Sequence, residues 1–288
     1  MARRPRRPYD APVPRLDAMI ARNLGLSRRQ VTRLLRAGRV LDPGGMRLDD
    51  ARLPCLPSDG PRTVVVDGVE HLLHHRVSVL LHKPVGVVTA HEDARHPTAY
   101  ALLRGAPLHR ELRAVGRLDL DTSGLLLWTT DGTLLHRLTH PRYAVPREYH
   151  VGLAGPFCDP TPQLRLDDGH VPTIAAWRRA PLDEMHPALR RSATAREHAS
   201  ITLTSGRFHE VRRIFAALGT EVVDLCRVRY GSIELPPELP AGAHEAVDLH
   251  AVFRGLSPAP EGPEDEAPAS ESPEDEGSRS ARPEDEAS

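Results

Sequence analysis

The stretch Gly116-Arg117-Leu118-Asp119-Leu120-Asp121-Thr122-Ser123-Gly124, running straight into Leu125-Leu126-Leu127-Trp128, constrains this chain more than any other. Two carboxylates two residues apart are boxed between glycines and lead into an apolar run. That run is too short for a free-standing helix and reads as a buried strand. Small residues and the Thr122-Ser123 hydroxyls beside an acid predict a turn, which holds Asp119 at a fixed point near its mouth. A surface turn with solvated aspartates produces the same pattern, so this stretch by itself leaves both readings open.

The 288 residues leave room for one ordinary domain and a smaller one. No apolar run approaches the roughly 18 residues of a membrane span, and the Arg/Pro-rich start is not followed by the apolar segment of a secretory signal. Cys55, Cys158 and Cys226 are isolated and never form a Cys-x-x-Cys pair. That argues against a disulfide framework or zinc ribbon and fits a reducing, cytoplasmic setting. The net charge of -1 hides a segregation: residues 258–288 hold 11 acids against Arg279 and Arg282, while the rest holds 36 basic against 28 acidic residues. A basic body points to a polyanionic partner. Lys83 is the only lysine, so nearly every cation is an arginine.

Residues 1–14 read as a disordered basic arm. From Arg15, the residues Leu16, Met19, Ile20 and Leu24 repeat at helical spacing, with Gly25 as the stop. Ser27-Arg28-Arg29-Gln30 has capping-box form and starts a second helix, buried through Val31, Leu34 and Leu35 and ending at Gly38. Its other face carries Arg28, Arg29, Arg33 and Arg36, with Arg39 beyond. Short strands at Val40-Leu41 and Thr63 to Val66 follow, with Asp67-Gly68 as a hairpin signal. Two short helices and a small sheet place the arginines on one side of a module spanning 15–75, a pattern that suits RNA phosphates. His71 to His75 reads as a linker.

In the larger unit, 76–257, Val77 to Leu81 reads as a strand running into Lys83-Pro84-Val85-Gly86 and out through Val87-Val88. A helix through Leu134, Leu135 and Leu138 closes at Pro141. Its His136 and His140 are four apart, but no third ligand is patterned nearby, so no metal site is expected. Arg147 to Val151 alternates as a strand, with Tyr149 and Val151 facing one way and His150 the other. Asp167-Asp168-Gly169 reads as a turn and Arg178 to Arg196 as loop or marginal helix. Ile201 and Leu203 alternate into Ser205-Gly206-Arg207. A helix follows with Val211, Ile214, Phe215 and Leu218 inward and His209, Arg212 and Arg213 off the core. Val222-Val223 and Tyr230 to Ile233 read as the last strands. The segment 258–288 repeats Pro-Glu-Asp-Glu three times, lacks apolar residues to fold, and reads as a disordered acidic tail.

Arg15-Leu16-Asp17, Ser27-Arg28 and Gly38-Arg39-Val40 resemble the pattern of the S4 RNA-binding domain, with Asp42-Pro43-Gly44-Gly45 departing from its usual Val-Asn-Gly turn. The resemblance implies an RNA surface on Arg15, Arg28, Arg29, Arg33 and Arg36. Downstream, Lys83-Pro84-Val85-Gly86, Gly116 to Leu125, Tyr149 on its strand and Gly206-Arg207-Phe208-His209-Glu210-Val211-Arg212-Arg213 form one ordered set. Together they closely resemble the RsuA/RluB/RluE/RluF family of pseudouridine synthases, over about residues 15–255. The resemblance implies an α+β chain: a small S4 domain, then a catalytic domain with a mixed, mostly antiparallel central sheet flanked by helices. It also implies isomerisation of a uridine in ribosomal RNA, free or in an assembling subunit, by a monomer that needs no cofactor. The implied catalytic residues are Asp119, Tyr149 packing on the base, and Arg212 pairing with Asp119. Lys83, Arg117, Arg207, His209 and Arg213 are the implied substrate-binding set. Where the family usually has Gln, this chain has Glu210, which adds a negative charge beside the site. Asp93 to Thr98 and Arg207-Phe208-His209 look most like the small-subunit (RsuA) type, with the large-subunit RluB type as runner-up.

The reaction breaks the N1–C1′ bond, turns the uracil and joins C1′ to C5, so the C5 proton must leave. Asp119 must be ionised to add to the base or ribose or to take a ribose proton, and the sequence does not choose among these. Tyr149 can stack on a flipped uracil and help offset the few kcal/mol that flipping costs. Two rivals stand beside this reading. A non-enzymatic S4-type RNA binder would have no use for Asp119. The Asp119-x-Asp121 pair also resembles the haloacid-dehalogenase phosphatases, but those want Thr or Val where Ser123 stands and a lysine downstream, whereas Lys83 lies upstream. Magnesium-independent activity separates that class from this one.

Overall fold

The computed structural model describes residues 13–57 and 60–257, so the basic arm up to residue 12 and the acidic tail lie outside the described residues. The N-terminal unit starts with α1 (Leu16–Leu24), which buries Leu16, Met19 and Ile20 and stops at Gly25, at φ +68°. The second helix, α2 (Arg28–Arg36), opens on the capping box expected of Ser27 and Gln30. Three strands follow, β1 (Val40–Leu41), β2 (Arg62–Val66) and β3 (Val69–Leu73), forming one antiparallel sheet in that order. Asp67 and Gly68 both have positive φ, the conformation of a two-residue hairpin turn. That turn forces the chain straight back along β2, so residues 71–73 are strand and not the linker their histidines suggested.

The larger unit runs β4 (Ser78–Lys83), β5 (Arg113–Ala114), β6 (Ser123–Thr129), α3 (Gly132–Thr139), β7 (Arg147–Leu153), β8 (Ile174–Arg179), β9 (Glu197–Leu203), α4 (Glu210–Ala217), β10 (Val222–Tyr230), β11 (Ile233–Glu234), β12 (His244–Ala246) and α5 (Leu249–Val252). Its nine-stranded sheet has the order β12-β4-β6-β10-β7-β9-β8, with β5 beside β6 and β11 beside β10. Only β6 and β10 pair in parallel, at the centre. The mixed, mostly antiparallel sheet expected from the resemblance is therefore observed. Every residue of β6 is buried, as its unbroken apolar run requires. Cores lie on both faces, one around Leu125, Leu127, Cys226 and Tyr230, the other around Leu81, Leu126 and Trp128.

Three local readings need correction. Val87-Val88 makes no strand: Gly86 N donates to Leu120 O at 2.7 Å, which turns the chain away and leaves only a bridge from Val88 to Thr98. Residues 178–179 belong to β8, an edge strand whose outer side tolerates charge, so the missing apolar alternation hid it. Residues 222–230 form one long strand, which Arg227 in its middle disguised.

The two units meet through α1. Arg22 places Nε and Nη2 on the Glu111 carboxylate at 2.7–2.9 Å and Nη1 on His75 O at 2.8 Å, while Asn23 pairs with the backbone of His74. Among the described residues, no helix is long and apolar enough to cross a membrane.

Gly124 permits the central parallel pairing. Its φ is +109°, and a Cβ there would fall 2.2 Å from Arg227 O and 2.7 Å from Arg227 N. Gly124→Ala therefore meets both backbone strain and overpacking, and is expected to cost about 3 kcal/mol. Urea unfolding checks this: the midpoint should fall well below wild type.

Candidate active site

The turn before β6 is held by the end of β4 and the segment that follows it. Lys83 is fully buried, and its ammonium donates to Pro84 O at 3.0 Å, Asp119 O at 2.9 Å and Thr122 O at 2.7 Å. Gly86 N takes Leu120 O, and the buried Thr89 hydroxyl donates to Leu118 O at 2.8 Å and accepts from Leu118 N at 3.1 Å. Every carbonyl from Leu118 to Leu120 thus has a fixed donor. With its backbone immobilised, Asp119 presents a half-buried side chain to a cleft of about 460 Å³. That size suits a single small ligand.

The sheet builds the cleft's floor. Arg227 on β10 lies opposite both Gly124 on β6 and Tyr149 on β7, so the side chains of Arg227 and Tyr149 share one face. Arg147, two residues before Tyr149, points the same way, donating to Ser205 O at 3.0 Å and to the Tyr230 hydroxyl at 3.3 Å. The far wall is the loop from Ser205 to His209 and the start of α4. His209 Nε2 stands 3.5 Å from Asp119 Oδ1, and its ring stacks on the exposed Phe208 at 3.7 Å between centroids.

Asp119, Tyr149, Arg117, Arg207, His209 and Arg212 all line this cleft, as the sequence placed them. Three expectations change. Arg212 pairs with Asp121, at 2.7 Å, and not with Asp119. Its Nη1 is fixed on Val222 O at 2.7 Å, which turns the guanidinium toward the outer carboxylate of the turn while His209 occupies the inner one. Arg213 faces away, onto Asp167 and Asp168, because neighbours on a helix point about 100° apart. The hydrogen bond from Arg213 is the main reason the Asp168 carboxyl sits down at about 2. Lys83, expected to touch substrate, has no exposed surface and works entirely on the backbone beneath Asp119.

Glu210, the departure from Gln, is buried: Oε2 accepts from Arg207 N at 3.0 Å and Oε1 lies 3.3 Å from His170 Nε2. Its contact with Arg207 N ties the loop to the start of α4. Sequence reading missed Arg147 and Arg227. The first was legible by its two-residue offset from Tyr149, and the second was hidden because its strand was not recognised. Among the described residues, no group of three or more potential metal ligands occurs.

On the N-terminal unit, Arg15 and Arg28 both bind the buried Asp17 Oδ2, at 3.1 and 2.7 Å, and Arg39 pairs with Asp67. Arg28, the first residue of α2, thereby braces that helix against α1. Arg29, Arg33 and Arg36 are exposed and form no ion pair among the described residues.

Residues 77–217 match the family described as RNA pseudouridylate synthase. The chain is 35% identical over 241 residues to the ribosomal small subunit pseudouridine synthase A of Yersinia pestis, covering 83% of this chain and 96% of that protein. It is likewise 35% identical over 231 residues to the protein of that name from Escherichia coli K12, covering 80% and 94%. A solved structure described as a pseudouridylate synthase superposes with a TM-score of 0.50 at 29% identity, over 83% of this chain and 97% of the other.

Burial lowers the Lys83 ammonium from the usual 10.5 to about 8, although Asp119 and Asp121 pull it back up. Below pH 8 both the folded and unfolded chains hold this proton and the burial cost is complete. Between about 8 and 10.5 the folded chain has shed a proton that the unfolded chain keeps, so the cost falls as pH rises. Because Lys83 is the only lysine, protein labelled with ¹⁵N-lysine gives one ε-amine resonance to follow. Its midpoint should lie near 8; a midpoint near 10.5 would contradict the buried clamp.

Proposed function

The chain is a member of the RNA pseudouridylate synthase family, and on that premise we propose that it converts a uridine of small-subunit ribosomal RNA to pseudouridine. The observation that carries this reading is Asp119, fixed on an immobilised turn, facing a cleft with Tyr149 on its floor. The name shared by the relatives at 35% identity supports the small-subunit target.

In this reading the target uridine leaves its stack and lies on Tyr149, with Asp119 at its glycosidic bond. The N1–C1′ bond breaks with its electron pair on N1, and Asp119 either bonds the ribose or base or takes a ribose proton. The freed ring turns, C5 bonds C1′, the C5 proton leaves and N1 gains one, so the net change is an isomerisation. Arg212 holds Asp121 and so fixes the outer half of the turn; Arg117 and Arg207, exposed at the rim, take phosphates. The N-terminal unit acts as an S4 RNA-binding domain. Arg29, Arg33 and Arg36 make its phosphate contacts, while Arg15 and Arg28 stiffen the face that presents them.

The test is tritium release from RNA labelled at uridine C5, with small-subunit and large-subunit RNA offered separately. Release from small-subunit RNA alone is expected. Asp119→Asn should abolish release while RNA affinity stays within about threefold, the change being nearly isosteric. Release only from large-subunit RNA would overturn the target. Release from neither would favour an RNA-binding protein without this activity.

A further inference from the structure

Arg227 is a charged side chain in an unusual position. It lies at the centre of the sheet, 2% exposed, yet borders the cleft beside Tyr149 and Leu225. Its Nε donates to Leu125 O at 2.8 Å, and its guanidinium carbon sits 5.2 Å from the centre of the Tyr230 ring. Nη2 has no hydrogen-bond partner, and the side chain forms no ion pair among the described residues. A second buried cation, Lys83, has its own charge disfavoured by Arg227. An arginine does not shed its proton, and a buried charge with no counter-ion is strongly unfavourable. A strand-to-strand brace needs no charge. The arrangement makes sense if negative charge arrives at this spot during the reaction.

Resting on the reading above, we infer that Arg227 is a catalytic residue, whose unpartnered Nη2 donates to a uracil carbonyl oxygen and stabilises the uracil anion formed during turnover. When the N1–C1′ bond breaks, its electron pair leaves with N1 and spreads to O2 and O4. C1′ is satisfied by Asp119, through a bond to its carboxylate or through loss of a ribose proton to it. No oxidant or reductant is involved. A base lying on Tyr149 sits over the face from which Arg227 rises, since the two residues are directly opposite in register. Once C5 bonds C1′, the C5 proton leaves, N1 is protonated, the anion is gone and Arg227 returns to its unpaired state.

The test uses leaving-group sensitivity. Small-subunit RNA is transcribed with uridine or with 5-fluorouridine, whose fluorine already stabilises the departing anion. Single-turnover N1–C1′ cleavage is followed by mass spectrometry of digested RNA, using the full chain. Arg227→Gln should lose at least about 100-fold on uridine RNA but less than about tenfold on 5-fluorouridine RNA, with RNA affinity within about threefold. An equal loss on both RNAs would make Arg227 a structural brace and overturn the inference. If Arg227→Gln lacks a cooperative thermal transition, Arg227→Lys carries the same comparison: about tenfold lost on uridine RNA and none on 5-fluorouridine RNA is expected, and equal losses overturn the inference. A wild-type chain inactive on both RNAs would overturn the reading beneath it as well.

Discussion

One buried ammonium holds the turn that carries Asp119 together. Lys83 ends β4 and, instead of reaching solvent, gives its three protons to the carbonyls of Pro84, Asp119 and Thr122. A turn carrying two aspartates at the mouth of the central strand would otherwise expose polar backbone against the sheet with nothing to satisfy it. Gly86 and Thr89 complete the arrangement on Leu120 and Leu118. The Lys-Pro-x-Gly stretch and the Gly-Arg-Leu-Asp stretch are therefore one structural object, and the position of Asp119 follows from it.

The cations divide by task. Arg22, Arg15, Arg28, Arg39 and Arg213 each pair with a carboxylate, and they hold helices, hairpin and turn in place. Arg29, Arg33, Arg36 and Arg117 are exposed and form no ion pair among the described residues. Arg147 and Arg227 are drawn inside, against Tyr230, where water screens them least. The surface cations suit a polyanion, and the inner ones suit a reaction in which charge develops on a base removed from water.

Much of this was legible in the sequence because it depends on local rules. The Ser27–Gln30 capping box, the Asp67-Gly68 hairpin, the β6 run and the inward face of α4 each follow from a few neighbouring residues. The resemblance brought Asp119, Tyr149 and Arg212 to one cleft. What escaped depends on contacts distant in sequence. Arg212 meets Asp121 because Val222 anchors its other nitrogen, and nothing near Arg212 in sequence announces that. The resemblance set Lys83 among the substrate contacts, whereas carbonyls 36 and 39 residues away bury it. A strand with an arginine in its middle does not read as a strand, so β10 and its Arg227 stayed hidden.

The most direct measurement is the single-turnover rate of pseudouridine formation by Lys83→Met, read together with amide hydrogen exchange over residues 118–122. The variant should keep its circular dichroism and RNA affinity, exchange across the turn should accelerate, and the rate should fall at least about 100-fold because Asp119 is no longer fixed. A wild-type rate from a turn that has visibly loosened would contradict this, since Asp119 would then be placed by something other than this clamp.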